Sequence, residues 1–105
     1  MLNKTITFFE ALTLGNTNIV ENLIDDNCNY FNWLQLYDNK KDILQAFQDM
    51  IKSAKTVNIK FDNIHNFDDI VYTEIKLLLD KRVVNLCFVV SFKNNKIIKI
   101  NGYKR

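Results

Sequence analysis

His65 is the only histidine in the chain. With an ordinary pKa of about 6.5 it is the side chain best suited to moving a proton near neutrality. It shares strand parity with Phe61 and Asn63, which predicts that it points inward, and Tyr30 or Tyr72 could serve as its partner. As a lone histidine beside a turn, next to Asn66, it reads more readily as a half-exposed strand end than as a catalytic group. The carboxylates offer no better base. Asp25 and Asp26 close a helical segment, Asp62 shares the outward parity of Asn58 and Lys60, and Asp68 and Asp69 fall in a turn. Cys28 and Cys87 are far apart and lack a C-x-x-C spacing, so they read as reduced structural thiols, with no metal site and no cofactor implied.

The elements that would position these residues can be read from periodicity. Val84, Leu86, Phe88, Val90 and Phe92 alternate with Val83, Asn85, Cys87, Val89 and Ser91, the period of a strand with one dry face. The segment from about Val57 to Tyr103 reads as four such strands. Val57, Ile59 and Phe61 share a face that continues to Asn63 and His65, and Val71, Thr73, Ile75, Leu77 and Leu79 share the next. Asn66 to Asp69, Asp80-Lys81-Arg82 and Lys93-Asn94-Asn95-Lys96 mark the turns.

Three helices are expected ahead of this sheet. The first, Lys4 to Leu14, turns Phe8, Ala11 and Leu12 to one side and ends at Gly15. The second runs from Asn18 to Asp25 behind an Asn16 or Thr17 cap. Asn27 to Tyr37 reads as a short strand and a loop bearing Tyr30, Phe31, Trp33, Leu36 and Tyr37. Asp38 or Asn39 then caps a third helix carrying Ile43, Leu44, Phe47, Met50 and Ile51, with Lys52 near its end.

The chain has 105 residues, 48% of them apolar, and a net charge of +2. That length suits one domain, residues 1–105, burying roughly two thirds of its unfolded surface without staples. The apolar run Ile6 to Leu14 is broken by Glu10 and is too short for a membrane span, so a cytoplasmic location is the expectation. Lys93, Lys96, Lys99, Lys104 and Arg105 gather at the C-terminal end, yet charges nearly balance overall. A solvated turn and tail is expected there, not a nucleic-acid interface.

Helix, helix, short strand, helix and long antiparallel sheet, in that order, resemble the nuclear-transport-factor-2-like superfamily, also called SnoaL-like. Phe9-Glu10-Ala11-Leu12 with Gly15-Asn16-Thr17-Asn18 resembles its first helix and break, and Leu23-Ile24-Asp25-Asp26 the acidic end of its second. Asn39-Lys40-Lys41-Asp42-Ile43 resembles the opening of its third helix. Phe92-Lys93-Asn94-Asn95-Lys96-Ile97-Ile98 resembles its last hairpin. The resemblance implies an α+β fold in which three N-terminal helices pack on a curved, mostly antiparallel sheet to form a cone. It also implies a pocket lined by Phe8, Leu12, Tyr30, Trp33, Phe47, Phe61, Asn63, His65 and Phe88. The ketosteroid isomerase branch of the family places its base and oxyanion donors where this chain has Phe31 or Tyr30, Phe8 and Phe88. Phenylalanine can neither take a proton nor donate a hydrogen bond, so that mechanism is not expected.

Two functions stay open on the sequence. One is a non-catalytic module whose cone binds a small apolar ligand or whose sheet binds a partner. The other is a cofactor-independent isomerase, dehydratase or cyclase with His65 as acid or base. A homodimer through the sheet face opposite the helices is expected, because Ile70, Tyr72, Leu78, Val83, Cys87 and Val89 make that face apolar.

Overall fold

The computed structural model describes residues 1–105. Helix α1, Leu2–Leu14, ends at Gly15, whose left-handed φ of 71° lets its backbone N–H and the next cap the last carbonyls. Asn16 then caps α2, Thr17–Leu23, by accepting from the Ile19 N–H. Strand β1, Ile24–Phe31, starts directly where α2 stops, so Asp25 and Asp26 belong to a strand and not to a helix end. The short β2, Leu36–Tyr37, turns back on β1. Helix α3, Lys40–Ile51, begins under the Asn39 side chain, which accepts from the Asp42 N–H at 2.9 Å. Only two helices therefore precede the first strand, and the third enters after the β1–β2 hairpin.

Four long strands follow: β3 Val57–Phe67, β4 Ile70–Leu79, β5 Arg82–Lys93 and β6 Lys96–Lys104. The six strands form one sheet in the order β2-β1-β6-β5-β4-β3, with every pairing antiparallel except β1 with β6. The β5–β6 turn puts Asn94 and Asn95 at φ of 52° and 64°, the double left-handed geometry of a tight hairpin that asparagine accepts readily. The β3–β4 turn is tighter than expected, with the strands running on to Phe67 and Ile70.

The inner sheet face follows the predicted alternation on β4 and β5, whose Val71, Ile75, Leu86, Phe88 and Val90 are buried in the core. On β3 it does not. Phe61 pairs with Ile75, but Asn63 pairs with Glu74, so Asp62 is an extra residue, a β-bulge. Strand parity inverts there. Ile64 turns inward onto the core, while Asn63 and His65 turn to the outer face. The carbonyls freed by the bulge are taken from both sides. Thr73 Oγ1 donates to the Asn63 carbonyl at 3.1 Å, and Arg105 Nη2 donates to the Ile75 carbonyl at 2.7 Å.

No helix is long and apolar enough to cross a membrane.

Candidate functional site

The space between α1, α3 and the concave sheet face is where a site would be expected, and aromatic rings occupy it. Phe8 and Phe9 come from α1, Phe47 from α3, Tyr30 from β1 and Phe88 from β5. Phe47 stacks on Tyr30 with centroids 4.4 Å apart, Phe9 lies 4.8 Å from Phe88, and Phe8 meets Phe47 edge-on at 5.8 Å. Gly102, opposite Phe88 on β6, makes this possible, since a Cβ there would sit 2.9 Å from the Phe88 ring and 3.4 Å from the Tyr30 ring.

What remains open is a cleft between the C-terminal halves of α1 and α3, of about 20 Å³. A single water needs about 10–15 Å³, so the cleft admits little more than one. Nine of its ten lining residues are apolar, among them Phe9, Leu12, Met50, Ile51, Ile59 and Leu77, and the tenth, Thr13, donates its hydroxyl to the Glu10 carbonyl. No titratable group faces it.

Of the residues read from the sequence as a pocket, Phe8, Leu12, Tyr30, Phe47, Phe61 and Phe88 do pack together on the core side. Asn63, His65 and Trp33 do not. The bulge at Asp62 places Asn63 and His65 on the opposite face of the sheet, exposed, and this corrects the inward orientation expected for both. Trp33 sits in the β1–β2 turn, more than a third exposed, with the Lys104 ammonium 5.1 Å from its ring centroid. Of the two tyrosines suggested as partners of His65, Tyr72 lies across from it on the outer face, whereas Tyr30 is in the core. A proton transfer by His65 inside the cone is thus geometrically impossible.

Tyr30 is the one polar group at the aromatic centre. Its hydroxyl is fully buried and has no hydrogen-bond partner. Burial pushes the phenol up to about 12, and the nearby Asn32 side chain pulls the other way without reaching hydrogen-bond geometry. The Asn32 carbonyl oxygen is already committed, accepting from Leu34 N–H at 2.7 Å and Gln35 N–H at 2.8 Å to set the β1–β2 turn. Cys28, also buried, has its thiol pushed up to about 12 by desolvation, with Asp25 adding to the effect, so it is not a nucleophile at neutral pH.

The polar chemistry of the molecule lies on the outer face. Arg105 reaches Asp62 at 2.9 Å and approaches Glu74 at 3.8 Å. Glu74 accepts from Asn63 Nδ2 at 2.7 Å and from the Tyr72 hydroxyl at 2.9 Å. These contacts hold both carboxyls below their usual range, Arg105 being the main cause for Asp62 and Asn63 for Glu74. Nowhere do three or more histidine, cysteine, aspartate or glutamate side chains come together in a way that could hold a metal ion. Reading the C-terminal lysines and arginine as a solvated tail missed this network. The sole signal for it was Asp62, an acid in a strand whose apolar residues run 57, 59, 61 and then 64.

The architecture has many counterparts among solved structures. A protein of unknown function from Cytophaga hutchinsonii, described as NTF2-like, is 18% identical and superposes with a TM-score of 0.76 over 98% of this chain and 97% of its own. An LEH-like epoxide hydrolase of M. tuberculosis is 17% identical, with a TM-score of 0.79 over 99% of this chain and 81% of its own. A protein from Catenulispora acidiphila with a ketosteroid isomerase-like fold, solved in complex with trimethylamine, is 13% identical, with a TM-score of 0.79 over 95% of this chain and 83% of its own.

The chain has the nuclear-transport-factor-2-like fold.

No family model matches its sequence, and no curated protein matches it either. At these identities the likeness is one of fold, and the nuclear-transport-factor-2-like fold hosts unrelated chemistries. Function has to be argued from the residues. In this version of the fold the positions that the family resemblance assigns to proton transfer hold Phe8, Phe88 and either the partnerless Tyr30 or the outward-facing Phe31.

Proposed function

We propose that this chain is a non-catalytic module that works through its outer sheet face, where a second copy of itself packs to form a homodimer. The observation that carries the reading is the filled cone. Five aromatic rings leave about 20 Å³ between α1 and α3 and no ionisable side chain facing it, which is too little room for a substrate and offers no acid or base. The apolar surface that a soluble partner would cover is instead outside. Phe31, Ile70, Leu78, Val83 and Tyr103 are all exposed on the outer face, with Tyr72, Cys87 and Val89 half-buried among them. Light scattering at micromolar concentration tests the proposal. Twice the chain mass is expected, and Val89→Lys, which sets a charge among these residues, is expected to shift the population to monomer. A monomeric wild-type protein would overturn it.

A small apolar ligand is the second reading, favoured by the cleft's nearly all-apolar lining and its opening between two helices. It requires α1 and α3 to part. Saturable binding of an apolar fluorescent probe that Met50→Lys abolishes would support it.

A further inference from the structure

We propose that the free edge of β3, from Val57 to Phe61, takes up an extended peptide segment of another protein as an added antiparallel strand, one in which apolar and acidic residues alternate. The sheet ends in two edges, and only one of them is blunted. Strand β2 is two residues long, whereas β3 runs for eleven and pairs on one side only, with β4. A long edge of unpaired N–H and C=O groups is a template for a further strand. The register says which residues offer them. The Thr56 carbonyl accepts from the Asp80 N–H and Val57 stands opposite Leu79, so the even-numbered residues at the start of β3 turn their backbone groups to β4. Val57, Ile59 and Phe61 turn theirs to the free edge, until the bulge at Asp62 interrupts the alternation.

These same three residues direct their side chains to the inner face, where each is half-buried against the core. An antiparallel strand laid beside them sets every second side chain on that face as well. There is room for them. An open hollow of about 210 Å³ lies between the last turn of α1 and the start of β3, bordered by Thr13, Leu14, Val57 and Ile59, with Leu14 81% exposed. The inward residues of the added strand are therefore apolar, and Glu10 at the rim of the hollow disfavours a carboxylate there. The outward residues meet the opposite charge. Lys60 is exposed on the outer face directly across from Lys76, and while Lys76 lies 3.9 Å from Asp62, no carboxylate is within ion-pair distance of Lys60. Like charges opposed across two strands are unfavourable, and an acidic residue beside Lys60 relieves them. A second copy of β3 fits this edge poorly, because it brings its own Lys60 and Lys76 to the same face. The edge is separate from the outer-face surface discussed above, so this inference stands or falls apart from the homodimer.

Fluorescence anisotropy of the full chain with a labelled seven-residue peptide of alternating glutamate and valine tests the proposal. Saturable binding is expected. N-methylation of the valine amides removes the N–H groups that face β3 and should abolish binding, whereas N-methylation of the glutamate amides, which point away, should leave it intact. Val57→Pro deletes one free-edge donor without touching the β4 ladder and should weaken binding about tenfold. Lys60→Glu should weaken it as much and transfer the preference to a peptide of alternating lysine and valine. Should a variant fail to fold, as judged by circular dichroism, the N-methylated peptides decide alone. A wild-type chain that does not bind, binding that survives N-methylation of the valines, or binding indifferent to both substitutions overturns the proposal. A fall in light-scattering mass as the peptide binds would show that a second copy held the edge, and overturns it as well.

Discussion

Tyr30 illustrates how one atom can be out of keeping with its surroundings. Its ring belongs where it is, stacked on Phe47 and covered to full burial, but its hydroxyl has lost water and gained no partner. An unsatisfied buried polar group costs about 1–3 kcal/mol. Tyr30→Phe, usually a loss in a core, is therefore expected to leave stability unchanged or to raise it by about 1 kcal/mol, read from urea unfolding at pH 7. A loss of similar size would mean that a bound water or ligand satisfies the hydroxyl. The same group sets an alkaline limit. Its folded pKa of about 12 lies above the ordinary tyrosine value of 10.0, so the neutral form is favoured in the fold. Its contribution is fully present below about pH 10 and is lost as pH rises toward 12, and Tyr30→Phe should flatten stability over that window. Gly102 makes the complementary case. A methyl there meets the Phe88 ring at 2.9 Å, and that ring is held by Phe9 and Phe47 and cannot retreat. Gly102→Ala should cost about 1–3 kcal/mol, and Phe88→Leu in the same chain should recover part of it.

The strands and helices show which parts of the fold the sequence carries openly and which it does not. On β4 and β5 an unbroken period of two named every inward residue, because the ladder between these two strands runs from end to end without a bulge. The cap at Gly15 was legible too, and those at Asn16 and Asn39 to within one residue, Thr17 and Asp38 being the alternatives, since these residue types answer local backbone needs. On β3 the single extra residue at Asp62 reversed the assignment of Asn63 and His65 and removed the one candidate base from the cone. The phase slip was written in Ile64, apolar where strict alternation wants a polar residue, but only the partners Thr73 and Arg105 show why the bulge is stable there. Long-range clamps are equally silent in a sequence. Asp80, in the β4–β5 turn at φ 56°, accepts from Lys55 N–H at 3.0 Å and Thr56 N–H at 2.9 Å, tying the end of the α3–β3 connection to a turn 24 residues away. Those backbone donors, Thr56 first, hold its carboxyl below the ordinary aspartate range. Because the folded value is depressed, its contribution exists above about pH 4 and disappears as pH falls through the folded value. Asp80→Asn keeps the left-handed turn and removes the charge. The gap between its urea midpoint and that of wild type should be open at pH 7 and close in acid, and a gap independent of pH would show that the charge is irrelevant to the clamp.

The sheet has one face packed as core and another that leaves apolar side chains exposed, and two neighbouring residues separate them. Phe88 points into the cone, and Val89 points out from the row that carries Phe31 and Tyr72. If the cone is a core and not a receptacle, Phe88→Ala removes a fully packed ring and leaves a cavity its neighbours cannot close. The loss should be about 3–5 kcal/mol, read from urea unfolding at matched protein concentration, with oligomeric mass unchanged in the folded baseline. Val89→Lys touches none of that packing. Its monomer should unfold close to the midpoint of wild type diluted to its own monomeric range, while its association is lost. The faces are independent only if the two variants respond in this crossed manner. Should Phe88→Ala cost little and gain affinity for apolar probes already bound by the wild type, the cone would be an open binding site. Should Val89→Lys unfold the chain outright, the outer face would be part of the core of an obligate dimer, because a chain whose stability depends on its partner cannot be separated from it by mutation.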